Sequence, residues 1–253
     1  MTRIALGQIL VRGGDVEGNL ARAEEAIAAA ARQGCSFVVL PECLDTGWTH
    51  PSARERAAPI PGATADRLGR AARRHSVHVA AGITERCDPR IYNAAVLISP
   101  DGSILAHHRK INELDIAWDL YARGDRLMTA ETPAGRAGLT ICADNFPDSL
   151  ELSRSLVRMG ARFILSPCAW AVDADHDNEA EPYGSLWEGA YGELTRRNAV
   201  YVIAVSNVGW LTAGPWSGRK CIGCSMAVAP GGRVVARAPY GEAAEALLVV
   251  DVD

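Results

Sequence analysis

Short apolar runs bounded by Gly and Pro alternate with longer stretches whose apolar residues recur at helical spacing, and this order occurs twice along the chain. In the first half, Arg3 to Ile9 reads as a strand. Glu17 to Arg32 reads as an alanine-rich helix with Leu20, Ala23, Ile27 and Ala30 on one face, and Gly34 sits where a C-terminal cap is expected. Phe37-Val38-Val39-Leu40 has the unbroken apolar character of a buried parallel strand and ends at Pro41. A helix over Ala63–His75 leads to a strand over Val77–Ile83. Ala94–Ser99 and Ser103–His108 then form a hairpin about Pro100-Asp101-Gly102.

The second half repeats the order. A strand over Gly138–Cys142 precedes a helix that starts near Pro147 or Asp148, where Pro suits the first turn, and runs to Met159. Strand Phe163–Ser166, helix Leu186–Arg197 and strand Val200–Ser206 follow. A hairpin of Cys224–Ala229 and Arg233–Ala238 turns at Pro230-Gly231-Gly232, and Ala246–Asp251 is a final strand. Gly34-x-x-Phe37-Val38-Val39-Leu40-Pro41 parallels Gly160-x-x-Phe163-Ile164-Leu165-Ser166-Pro167, and the Ser99–Ala106 hairpin parallels Ala229–Ala236. Two βαβ-plus-hairpin halves imply two sheets, each with helices on one face. Their uncovered apolar faces must pack together, so the expected fold is α/β, a four-layer αββα sandwich. No Gly-, Ser- or Pro-rich linker divides the halves, so residues 1–253 are expected to form one domain. Thr46–Pro61, Ile111–Asp125 and Val172–Pro182 are long and irregular, as binding loops often are.

Composition narrows the function. The 253 residues are 48% hydrophobic and 22% charged, which suits a packed core and excludes wholesale disorder. No apolar run approaches the length of a membrane span, and Met1–Leu10 reads as a strand, not a signal peptide. The net charge is −4 with scattered Lys and Arg, which points away from nucleic acid and from anionic membranes as partners. Seven cysteines and no export signal predict reduced thiols and a cytoplasmic location.

Reactive groups in parallel α/β units gather beyond the carboxyl ends of strands. Glu42, Lys110 and Cys142 all stand at such ends, and the internal repeat is broken there: Glu42 aligns with Cys168 and Lys110 with Tyr240. A carboxylate, an ammonium and a thiol make a nucleophilic set. The carboxylate takes the thiol proton, a nearby cation and a helix start favour the thiolate, and the lysine with a backbone N–H stabilises an oxyanion. Cys221-Ile222-Gly223-Cys224 has no second C-x-x-C and opens no helix, so its thiols read as structural, and Cys43 reads as packing. His107 and His108 are adjacent in a strand and point to opposite faces, which argues against a shared metal; no metal and no cofactor are expected. Trp170, Trp187, Trp210 and Trp216 suit a pocket wall or a packed core equally well.

At these residues the sequence resembles the carbon–nitrogen hydrolase family, also called the nitrilase superfamily. The resemblance is carried by Leu40-Pro41-Glu42, His108-Arg109-Lys110, the run Gly138–Asp148 around Cys142, Arg197-Asn198, Ser206-Asn207-x-Gly209-Trp210 and the late Pro-Gly-Gly hairpin. It implies a Glu42–Lys110–Cys142 triad and an oxyanion contact from the Ala143 backbone N–H. It also implies substrate contacts from Cys168, Trp170 and Asn207, and pairing into a homodimer or higher homo-oligomer through the helices. Many members carry a further glutamate in the loop after the lysine. Counting back from Gly124-Asp125 reaches Ala117, so Glu113 is the first substitute, with Asp115 and Asp119 nearby. Nitrile-cleaving members carry Trp-Glu where this chain has Ala143-Asp144, which tilts the expected substrate toward a small-molecule linear amide or N-carbamoyl amine. The alternatives are nitrile hydrolysis and, from another class, a catalytically silent scaffold of the same fold.

Overall fold

The computed structural model describes residues 1–253. In chain order the strands are β1 (Thr2–Gln8), β2 (Phe37–Val39), β3 (His78–Cys87), β4 (Arg90–Ile98), β5 (Ile104–Arg109), β6 (Thr129–Ala130), β7 (Ala137–Leu139), β8 (Phe163–Cys168), β9 (Ala171–Val172), β10 (Tyr201–Ser206), β11 (Val208–Trp210), β12 (Lys220–Ile222), β13 (Met226–Ala229), β14 (Arg233–Arg237) and β15 (Ala246–Val252). The helices are α1 (Val16–Arg32), α2 (Ala53–Arg56), α3 (Ala63–His75), α4 (Glu151–Arg158) and α5 (Ser185–Arg197).

The first sheet has the order β15-β1-β2-β3-β4-β5 and the second β14-β13-β10-β8-β7-β6. In each, three parallel strands are flanked by an antiparallel hairpin on one side and one antiparallel strand on the other: β15 beside β1, and β6 beside β7. Side-chain alternation separates the layers. Ile4, Leu6, Phe37 and Val39 join residues of the second sheet in the core between the sheets. Ala5, Val38 and Leu40 face the other way, onto Leu20, Ala23 and Ile27 of α1 and Leu68 and Ala72 of α3. The second sheet packs its outer face on Leu156 of α4 and on Trp187, Ala190 and Leu194 of α5. This is the αββα arrangement expected from the sequence.

Three details differ from expectation. The β3–β4 hairpin is longer, because polar residues continue its ladder: Thr84 pairs with Asn93 and Glu85 with Tyr92, and Glu85 binds the strand neighbours His107 and Arg109. The helix expected from Pro147 begins only at Glu151, and Cys142–Asn145 forms a single tight 3₁₀ turn instead. A small third sheet, β11-β12-β9, grows out of the second half; its segments are too short to stand out by period. No helix is long and apolar enough to cross a membrane.

Candidate active site

Glu42 lies just past β2, on a stretch pinned from both sides. Leu40 N–H donates to Ala80 O at 2.8 Å, Gly82 N–H to Pro41 O at 2.9 Å, and Leu44 N–H to Gly82 O at 2.9 Å. Glu42 N–H crosses to the second sheet and donates to Cys168 O at 3.1 Å. This close approach requires glycine at 82, since a Cβ there would stand 2.5 Å from Glu42 Cα and 2.8 Å from Pro41 O.

Lys110 leaves β5 with its N–H on Asn93 O at 2.9 Å. Its Nζ donates to Glu42 Oε1 at 2.8 Å and lies 3.4 Å from Glu113 Oε2. Asn93 Nδ2 donates to both carboxylates, at 2.6 Å to Glu42 and 3.0 Å to Glu113. The Cys43 thiol donates to Asn93 Oδ1 at 3.4 Å, which orients the amide. Cys43 therefore does more than fill space, although it is fully buried as expected.

Cys142 follows β7 at the start of the tight turn, with φ of 41°, a conformation uncommon for a residue with a side chain. Asn145 Nδ2 holds the turn to Thr140 Oγ1 and Ser166 Oγ, both at 3.0 Å. The buried Asp144 carboxylate links this turn to the lysine loop. It accepts from Ile141 N–H at 2.9 Å, Ile111 N–H at 3.0 Å and Asn112 N–H at 2.8 Å, and lies 2.8 Å from His108 Nε2. Sequence reasoning missed Asn93 and Asp144 as members of this network. Asp144 was visible within the Cys142 motif, whereas Asn93 carried no local signal.

The electrostatics follow from burial among opposed charges. Burial works against the Lys110 ammonium, but Glu113, Glu42 and the Cys142 sulfur outweigh it and hold its pKa well above the ordinary lysine value. Burial pushes Glu113 up to about 7, against the pull of Lys110 and with the repulsion of Glu42. Asp144 stays below the usual carboxylate range: its burial is offset by His108 and by backbone N–H donors. The Cys142 thiol is pushed well up by its hydrogen-bond contact with Cys168, by burial and by Glu42, and Lys110 opposes this without reversing it. Lys110 favours the thiolate, as expected, but the Cys168 contact and burial outweigh it. The helix start expected after Cys142 is replaced by a single 3₁₀ turn.

Glu42, Lys110 and Cys142 line one cavity of about 110 Å³, with Ala143 beside them. Glu113 stands behind Lys110, while Asp115 lies in an exposed turn and Asp119 is exposed beyond it. The Ala143 carbonyl accepts from Asn112 Nδ2 at 2.7 Å and Ser149 Oγ at 2.8 Å. The walls are aromatic: Trp170, Trp187 and Trp216, with Trp48, Phe146 and Tyr183, which the sequence did not single out. Two of the residues expected to touch substrate do not line this cavity. Cys168 is fully buried behind Cys142 and is not a wall residue. Asn207 lies in a neighbouring crevice, which also holds the exposed Trp210, because Trp48 stands between the two spaces. His107 and His108 are engaged by Glu85 and Asp144, and no group of three or more His, Cys, Asp and Glu side chains is arranged to hold a metal ion.

Residues 3–253 match the family profile described as carbon-nitrogen hydrolase. The chain is 32% identical over 242 residues to an (R)-stereoselective amidase of a Pseudomonas species, covering 95% of this chain and 82% of that protein. It is 29% identical to the human omega-amidase NIT2, covering 100% and 90%. Among solved structures, Nit3 of Saccharomyces cerevisiae, a member of branch 10 of the nitrilase superfamily, superposes with a TM-score of 0.82 at 26% identity, covering 98% of this chain and 89% of that one. With the fold, the cavity and a match over nearly its whole length in agreement, the chain belongs to the carbon-nitrogen hydrolase family.

Proposed function

We propose that this protein hydrolyses the amide C–N bond of small linear amides, R–CO–NH2 or N-carbamoyl amines, through a thioester on Cys142. The reading is carried by one observation: a thiol, a carboxylate and an ammonium line the same small cavity, and the ammonium is shared between Glu42 and Glu113. Glu42 removes the Cys142 proton as the sulfur attacks the carbonyl carbon. The elevated thiol pKa makes this base necessary, because little thiolate exists beforehand. Lys110 Nζ and the Ala143 N–H stabilise the tetrahedral oxyanion. Collapse breaks the C–N bond, and Glu42 returns its proton to the departing amine. Water, deprotonated by Glu42, then cleaves the thioester and releases the acid and the Cys142 thiol. Carbonyl polarisation comes from Lys110 and the N–H, so the proposed reaction requires no cofactor. Glu113 and Asn93 hold Glu42 and Lys110 in register and do not touch the substrate.

The test is intact-mass analysis during turnover of a panel of amides, carbamoyl amines and nitriles, with ammonia release measured in parallel. The expected result is acyl adducts confined to Cys142. Cys142→Ala is expected to lower turnover by on the order of 10⁴-fold or more with unchanged thermal unfolding. Appreciable ammonia release by that variant would overturn the nucleophile assignment, and a Cys142 that stays unacylated and inert to alkylating agents would favour a silent scaffold.

A further inference from the structure

Apart from the reactive groups, the cavity wall is aromatic and aliphatic. Trp48, Phe146, Trp170, Tyr183, Trp187 and Trp216 surround the reactive groups, and Lys110 is the only basic residue among the lining side chains. Its charge is already committed to Glu42 and Glu113. Arg219, which stacks on Trp216 at 4.2 Å, is held by Asp173 at 2.8 Å. The segment that runs from the wall residue Ala171 to the wall residue Tyr183 carries Asp173, Asp175, Asp177, Glu179 and Glu181, all exposed. A substrate that brings a carboxylate therefore meets an apolar wall with no free cation. The indole N–H groups of Trp48 and Trp170 have no partner within the chain; as neutral donors they can meet an oxygen but do not balance a charge.

Resting on the amidase reading above, we infer that the acyl pocket selects neutral, apolar acyl groups and rejects amides that carry a carboxylate on the acyl chain. Size follows from volume. An apolar cavity of about 150 Å³ accommodates benzene. At about 110 Å³, this one suits an acyl chain of roughly four carbons beyond the carbonyl.

The test uses pairs of equal shape in which an isopropyl group replaces a carboxylate: isovaleramide against malonamate, and 4-methylpentanamide against succinamate. The expected kcat/KM favours the isopropyl member of each pair by on the order of 100-fold or more, the consequence of placing an unpaired charge in an apolar site. Equal rates, or a preference for the carboxylate, would overturn the inference while leaving the amidase reading intact. Failure of every amide, with Cys142 unacylated, would overturn both. Leu186→Arg places a cation at the cavity mouth, where Leu186 is 48% exposed, so the fold tolerates it. That variant is expected to narrow the ratio about tenfold by raising kcat/KM for the carboxylates; an unchanged ratio would count against the inference.

Discussion

In one half of the molecule Glu42 follows β2 and Lys110 follows β5, and β7 of the other half supplies Cys142; the corresponding positions of the second arrangement are Cys168, Tyr240 and Ile9. The strand registers define this equivalence: Phe37 pairs with Ile4 as Phe163 pairs with Ala137. The hairpins agree with it, since Lys110 bonds to Asn93 O and Tyr240 forms a bridge with Gly223. The scaffold is thus the same twice, and the side chains are not. Where Asn93 bridges two carboxylates, Gly223 has no side chain, and a Cβ there would meet the Gln8 amide at 2.2 Å. Gln8 fills the space and satisfies its own amide against Pro239 O at 2.9 Å, Ala244 O at 2.6 Å, Ser225 N at 3.0 Å and Ser225 Oγ at 2.8 Å. One region holds buried charges in mutual tension around a cavity, and the other holds a closed, neutral network. The lesson is that the fold provides two places where three strand ends converge, and polar chemistry at only one of them turns convergence into a site.

Substitutions in the two regions are expected to separate activity from stability. Lys110→Ala should lower kcat by about 10²- to 10³-fold, as loss of an oxyanion donor does; steady-state kinetics showing a change confined to KM would contradict its role. Glu113→Gln should alter the pH dependence of folding. A carboxyl raised to about 7 in the folded state favours its protonated form there, so its contribution to stability is complete below the ordinary glutamate value and disappears as pH rises through 7. Between pH 4.5 and 7 the wild type therefore loses on the order of 3 kcal/mol that the variant does not. Thermal unfolding across that range should show the gap in Tm widening toward high pH; a constant gap would remove the buried-charge account.

In the neutral region, Gln8→Leu should cost about 2 kcal/mol by leaving the Ser225 N–H and the Ala244 carbonyl without partners, while kcat changes little. A loss of turnover as large as that of Lys110→Ala would break the comparison. Tyr240→Phe is the mildest change. The Tyr240 hydroxyl has no partner, so its removal should shift stability by less than about 0.5 kcal/mol and leave kinetics unaltered.

The alternation of strands and helices, the internal repeat and the three strand-end residues Glu42, Lys110 and Cys142 were all legible in the chain, because each depends on local period or on a breach of a repeat seen in neighbouring residues. The extension of β3 and β4 past Ile83 was not, since Thr84, Glu85 and Arg86 break the apolar pattern and are held by partners elsewhere in the sheet. The late start of α4 was hidden for a related reason: Asp144 spends its carboxylate on Ile141, Ile111, Asn112 and His108, and so ties down a turn where local preference favours a helix.

By itself the sequence determined the layers and their order and placed Glu42, Lys110 and Cys142 at strand ends, as these follow from hydrophobic period and the broken repeat. Tertiary structure alone decided that Asn93 would join Glu42 to Glu113, that burial against Cys168 would raise the Cys142 thiol pKa, and that Trp48 would wall Asn207 out of the cavity. Each of those outcomes depends on burial and on distances between residues far apart in the chain, and a local pattern carries neither.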